Sequence, residues 1–328
     1  MVGENNEAAW RKRRIYATRS RGSRASKSAS VRASGSGRRR RRVPGPRNSA
    51  RDRRARRAAR RRAFQSPGGL ESAGHDSFRL DGCEIRFFKC DPNRHLGYHK
   101  PFVARELLAT NPDTSALFYE DPDITFIAPW KFFEEWVSCG VALCADSNFP
   151  RVSLNHPWRC KWAELIAAAG LEVTNRLEDY PNSGFFGIRR QDGAFLDRWI
   201  DLTEAFERQG GNTRTFTLSE RTESITGDQD LMAATMMTYS GPVSFLGQEA
   251  MGFNGHYFIL SHAIESPKPW NKKFLLQALK GSRPSVASGF FVRNADSPIR
   301  TSPSRWEHVR RRIDHACAKL VGRITGRV

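Results

Sequence analysis

Leu117–Ile124 reads L-F-Y-E-D-P-D-I, and the fold reading of this 328-residue chain turns on it. Ala116–Tyr119 is a short apolar run that ends in two acidic residues flanking a proline, Asp121-Pro122-Asp123. A compact apolar run that halts at a turn predicts a buried strand. Both carboxylates then leave its carboxyl end, where open α/β sheets place their ligands. Two carboxylates one residue apart can ligate a hard divalent cation, with water and phosphate oxygens completing the shell. Asp-Pro-Asp is equally an ordinary turn at a strand exit. The motif alone leaves both readings open.

Working outward, strand and helix signals alternate. Cys83–Lys89 alternates like a strand, and Pro101–Ala109 reads as a helix with proline in its first turn and Asn111-Pro112 beyond its end. Pro129-Trp130 opens a helix carrying Phe132, Phe133 and Trp136, and Val141–Ala145 reads as a buried strand. Trp162–Ala169 is expected to be a helix closed by Gly170. Phe185–Ile188 is expected to be a strand after an Asn182-Ser183-Gly184 turn. Phe195, Trp199, Leu202 and Phe206 mark one face of a helix over 193–208, and Asp228-Gln229-Asp230 opens another that runs to Met237. Val243–Leu246 and Tyr257–Leu260 read as strands, and Lys272–Leu279 as a helix. The alternation predicts an α/β fold: a mixed, mostly parallel sheet flanked by helices. Trp306, Val309, Ile313, Cys317, Leu320 and Ile324 recur at helical spacing near the C-terminus, with Arg and Lys elsewhere on the helix. That stripe is expected to dock on the body; contact with a membrane surface is the alternative.

The net charge of +20 is a property of one segment. Residues 1–65 carry 23 Lys and Arg against Glu4, Glu7 and Asp52, and the remainder is balanced at 31 basic and 31 acidic residues. Residues 1–75 are expected to be a disordered Arg-rich tail, since they offer little apolar surface to offset ordering entropy, or a mistranslated leader. Arg38–Arg42 and Arg51–Arg62 could neutralise phosphates. No aromatic residue lies between Arg19 and Arg62 to stack on bases, so nucleic acid is not the expected partner. The division expected is 1–75, a main domain over 76–290, and a basic amphipathic helix over 291–328. Six cysteines without a C-x-x-C pair predict a reducing, cytoplasmic setting; peripheral contact at the inner membrane face through the C-terminal helix is the alternative to its docking on the body. No run is long and apolar enough to span a bilayer.

Five stretches share an order with one known family. They are Lys100–Leu108 (K-P-F-V-A-R-E-L-L), Leu117–Ile124, Asn182–Ile188 (N-S-G-F-F-G-I), Asp228–Leu231 (D-Q-D-L) and His262–Trp270 (H-A-I-E-S-P-K-P-W). Together they resemble the GT-A nucleotide-sugar glycosyltransferases, particularly bacterial relatives of glycosyltransferase family eight, over about Tyr98 to Gly281. The resemblance implies a GT-A-like fold and transfer of a sugar from a nucleotide-diphosphate donor, a UDP-sugar in many members, to a carbohydrate or glycoconjugate acceptor, with retention of configuration. It implies Mn²⁺ or Mg²⁺ held by Asp121, Asp123 and His262. Lys268 would contact the diphosphate, and Arg105 would be the basic residue near the donor. Asn182, Ser183 and Gly184 would line the sugar and acceptor pocket, and Asp228, Gln229 and Asp230 would contact the sugar hydroxyls.

The chain departs from the family twice. Ile264 stands where a glycine is usual, and Lys268 comes six positions after His262 instead of five. Residues 1–75 hold no counterpart of the strand and helix that grip the nucleotide base. Alternatives to an active transferase are therefore a non-catalytic protein of the same fold, and binding to anionic surfaces through the Arg-rich segment.

Overall fold

The computed structural model describes residues 12–18, 32–35, 71–72, 77–80, 83–89, 93–215, 225–253, 259–294 and 305–324. Most of residues 1–75 lies outside these, and with it the expected disorder and both arginine runs. The chain forms two compact units, one of Ala17–Arg32 with Cys90–His262, the other of Met1–Tyr16, Ala33–Lys89 and Ala263–Val328. The N-terminal strands are β1 (Lys12–Thr18), β2 (Arg32–Gly35), β3 (Glu71–Ser72), β4 (Ser77–Leu80) and β5 (Cys83–Lys89). β3–β4 and β4–β5 pair antiparallel, which bears out the strand expected at Cys83–Lys89.

The unit containing Cys90–His262 opens with α1 (Lys100–Thr110), β6 (Ala116–Glu120), β7 (Ile124–Phe126), α2 (Trp130–Ser138), β8 (Val141–Ala145), α3 (Pro157–Ala168) and β9 (Pro181–Arg189). It ends with α4 (Ala194–Arg208), α5 (Asp228–Thr238), β10 (Val243–Leu246) and β11 (Leu260–His262). Four strands form one sheet in the order β10-β8-β9-β6. β10 and β8 are parallel, while β9 runs antiparallel to both β8 and β6. The mixed α/β architecture is as expected, but within this sheet only the β8–β10 pair is parallel, so the sheet is partly and not mostly parallel.

Helices cover both faces of this sheet, so its strands alternate between two apolar cores. Tyr119, Val141, Leu143, Phe186 and Ile188 meet Trp162, Trp199 and Leu231 on one side. Phe118, Ala142, Cys144 and Phe185 meet Phe133, Trp136 and Leu260 on the other. At full burial each large side chain contributes about 1.5–3 kcal/mol. Gly187 makes the second core possible, because a Cβ there would lie 2.7 Å from the Phe118 ring.

Three local expectations shift. α3 begins at Pro157, five residues before the expected Trp162, because the His156 imidazole accepts the Trp158 amide at 3.2 Å and caps the helix. Asn182-Ser183-Gly184 is part of strand β9 and not a turn ahead of it. The strand expected at Tyr257–Leu260 occupies Leu260–His262, with Tyr257 and Phe258 outside the described residues.

The second unit ends in α6 (Phe274–Leu279), α7 (Val286–Asn294) and α8 (Arg305–Ile324). Phe274, Ala278, Val292 and Ala318 form its small core, with Val321 against it. The Asp314 carboxylate accepts the Phe274 and Leu275 amides at 2.7 and 3.2 Å, capping α6, and Arg283 donates to the Gly322 carbonyl at 2.7 Å. α8 therefore docks through Asp314, His315, Ala318 and Gly322. The apolar stripe expected to make that contact is on the other side: Trp306, Val309, Ile313, Cys317, Leu320 and Ile324 are all exposed. No helix of the described residues is long and apolar enough to cross a membrane.

Candidate metal centre

Asp121-Pro122-Asp123 is a tight turn, closed by the Ile124 amide donating to the Asp121 carbonyl at 3.0 Å. Being a turn does not remove it from the site. The Asp121 amide still pairs with the Gly184 carbonyl on β9 at 2.8 Å, so the turn stays tied to the sheet edge. The next strand, β7, pairs antiparallel with β11, and this ladder sets His262 opposite Ile124. Residues opposed in such a ladder have Cβ atoms about 5 Å apart. A histidine distant in sequence is thus delivered beside Asp123.

The result is a three-residue cluster. One ligating atom each of Asp121, Asp123 and His262 lies within 4.8 Å of the others. Asp123 and His262 are buried and Asp121 is partly exposed, which leaves the cluster open on one side. His262 Nε2 sits 3.5 Å from Asp123 Oδ2, and Nδ1 is buried with no hydrogen-bond partner among the described residues. A buried imidazole nitrogen without a partner is costly, and a cation ligated through that nitrogen would satisfy it. Two ligands of one small divalent ion sit at most about 4.2 Å apart, so these residues fit the group with little movement. Mixed carboxylate and imidazole donors suit Mn²⁺ better than Ca²⁺.

Gly184 is the spacer that lets the ring in. A Cβ at this position would lie 2.8 Å from His262 Cε1 and 2.8 Å from Asn182 Oδ1. Asn182 is buried, accepts the Gly184 amide at 3.0 Å and donates to Asp146 Oδ2 at 3.2 Å. Asp146, just past β8, uses its other oxygen to accept the Asn148 and Phe149 amides.

The positive charge of the cluster comes from Lys100. It is 5% exposed, 2.8 Å from Asp228 Oδ2 and 3.6 Å from Asp121 Oδ1. It also donates to the Ser183 carbonyl at 2.8 Å and lies 5.0 Å from the Tyr119 ring centre. The Tyr119 hydroxyl donates to Asp121 Oδ1 at 2.6 Å. The Tyr119 hydroxyl therefore fixes one oxygen of Asp121, with the Lys100 charge close to the same oxygen. Asp228 stands at the first position of α5, where the helix dipole favours a negative charge.

The remaining expected residues are placed differently. Arg105 is not brought to the cluster; it lies half-exposed and ion-pairs with Asp197 of α4 at 2.6 Å. Asp230 holds the fold. Its Oδ1 accepts the Tyr180 hydroxyl at 2.6 Å, and its Oδ2 accepts the Thr226 and Gly227 amides, closing the N-terminus of α5. Burial pushes the Asp230 carboxyl above the usual range against the pull of these bonds, and burial beside Asp230 raises Tyr180 well above its own. Gln229 is half-buried between these two aspartates in the first turn of α5. Lys268 belongs to the other compact unit, where it donates to the Ala263 and Ile264 carbonyls at 3.3 Å.

Lys100, Asp146 and Tyr119 went unassigned in the sequence reading. Lys100 did leave a signal: it shares the helical register of Val103, Ala104 and Leu107, all buried, and a lysine in an apolar register calls for a buried anion.

No family model matches the chain, and no curated protein matches it. Solved structures do. An active-site mutant of LgtC is 13% identical with a TM-score of 0.37, over 63% of this chain and 70% of that one. The galactosyltransferase LgtC in complex with donor and acceptor sugar analogues is 14% identical, TM-score 0.36, over 63% and 69%. The bifunctional glycosyltransferase WbbM in its apo form is 15% identical, TM-score 0.36, over 66% of this chain and 37% of that one.

Proposed function

We propose that the unit containing Cys90–His262 is a metal-dependent glycosyltransferase that moves a sugar from a nucleotide-diphosphate donor, a UDP-sugar, to a carbohydrate or glycoconjugate acceptor with retention. The observation that carries this reading is the meeting of Asp121 and Asp123 with His262 across the β7–β11 ladder. Asp121, Asp123 and His262 would hold Mn²⁺ or Mg²⁺, which when bound neutralises charge on diphosphate oxygens. Tyr119, with Lys100 nearby, would orient the Asp121 carboxylate by holding its Oδ1. Asp228 and Gln229, at the start of α5, would accept from and donate to sugar hydroxyls. Asn182, held by Asp146, keeps β9 close to His262 without projecting a side chain at Gly184.

The test is a melting experiment on the full chain with UDP and Mn²⁺, together and apart. A ligand at about 100 times its Kd stabilises by about 2.7 kcal/mol. The expected outcome is a rise with the pair that Asp123→Ala abolishes while its unliganded fold persists. A rise of equal size in Asp123→Ala would dismiss the metal assignment, and no rise in the native chain would dismiss the donor site.

A further inference from the structure

The outward stripe of α8 has no role in the site and no cover among the described residues. Trp306 is 71% exposed, Ile313 53%, Leu320 58% and Ile324 76%. At 100° per residue these side chains, with Val309 and Cys317, fall within one narrow sector of the helix. The opposite side is pinned by the Asp314 cap on α6 and by Arg283 on the Gly322 carbonyl, so the helix cannot roll its stripe inward without breaking both. On α6, Leu276 and Leu279 are exposed as well.

The charges beside the stripe have one sign. Arg310 flanks it on one side and Arg312, Lys319 and Arg323 on the other, all exposed. The two acidic residues of α8 are engaged elsewhere: Asp314 caps α6, and Glu307 accepts Arg311 at 3.1 Å. Lys273, Lys280 and Arg283 add exposed positive charge on and beside α6.

We propose that this face of α8 is a docking surface for an anionic lipid bilayer. The helix would lie in the interface, with Trp306, Ile313, Leu320 and Ile324 entering the acyl boundary and the flanking cations against acidic headgroups. Charge complementarity favours this occupant. A second copy would set Arg310, Arg312 and Arg323 against cations of its own kind, and nucleic acid would leave the apolar stripe without a partner.

Full-length protein is co-sedimented with vesicles of phosphatidylcholine and with vesicles carrying about 30% phosphatidylglycerol. The comparison is with a Trp306→Ser, Ile313→Ser, Ile324→Ser variant, which keeps every charge. The Arg-rich N-terminal segment therefore contributes equally to both proteins. The native chain is expected to partition onto the anionic vesicles and little onto neutral ones. The variant is expected to bind at least tenfold more weakly with an unchanged melting temperature. Equal binding of the two proteins would assign the attraction to charge alone and overturn the proposal. So would absence of binding by the native chain, or a lower melting temperature in the variant, which would mean the stripe is covered within the fold. A dimer in sedimentation velocity that dissociates in the variant, without lipid binding, would give the surface to a second copy and overturn it too.

Discussion

Helices α4 and α8 have nearly the same apolar spacing and opposite fates. In α4, Phe195, Trp199 and Leu202 are fully buried against the sheet. In α8, Trp306, Ile313 and Ile324 face outward, and the docked side is built from Asp314, His315, Ala318 and Gly322. Periodicity marks where an apolar face lies; it does not name what covers it. What distinguishes α8 is its other flank. Small and polar residues there can meet a neighbour closely, with Asp314 capping α6 and Arg283 holding the Gly322 carbonyl.

The largest effect that could break this contrast is expected at Trp199. Trp199→Ala leaves a cavity in a fully enclosed position and should cost about 3–5 kcal/mol in urea melts. Trp306→Ala, measured the same way, should stay within about 0.5 kcal/mol. Comparable losses at the two positions would mean that α8 is covered after all.

A similar contrast exists within α1, between Lys100 and Arg105. Lys100→Met strands Asp228 in a buried position and should destabilise by about 3 kcal/mol. Arg105→Ala removes an exposed pair with Asp197 and should cost no more than about 1 kcal/mol. Equal effects in chemical denaturation would contradict the buried placement of Lys100.

Gly184→Ala should cost about 1–3 kcal/mol, since the new methyl group meets His262 and Asn182. Its sharper consequence is functional. The ring must shift, so the melting rise produced by Mn²⁺ with UDP should disappear even where the unliganded fold remains. A retained rise would show that the glycine does not set the place of the imidazole.

The last contrast concerns acid. Burial, with the nearby charges of Lys319 and Arg293 acting in the same direction and Asp314 opposing them, lowers the His315 pKa to about 4. The ring lies edge-on to Phe274 and is neutral in the fold. An unfolded chain takes up the proton below its ordinary value of about 6.5. The stability that depends on a neutral His315 is therefore complete above about pH 6.5 and is lost as pH falls toward about 4. Amide exchange of α8 should accelerate over that window, and His315→Phe should flatten the dependence. An unaltered profile in that variant would assign the acid response to other groups.

The sheet strands and most helices were legible because their signals are local: apolar runs in β6 and β8, proline at the start of α1, acidic residues opening α5. The Asp121, Asp123 and His262 group was named through a resemblance, and spacing alone left His262 undecided. What brings it beside the aspartates is the pairing of β7 with β11, a non-local event that no stretch of sequence displays. The same holds for Asp228 and Asp230, alike in sequence yet divided by long-range partners: Lys100 takes one, and Tyr180 helps to fix the other as a cap. Asn182 to Gly184 looked like a turn because Asn, Ser and Gly usually make one. Here those small residues let β9 pass close to Lys100 and His262.

The β7–β11 ladder has a temporal consequence. Its two strands are separated by roughly 140 residues, so the imidazole arrives only after a long loop has closed. During synthesis the aspartates would emerge well before their third partner and hold a cation weakly, if at all. Tight capture would then wait until β11 has docked, making cation retention a readout of completed assembly.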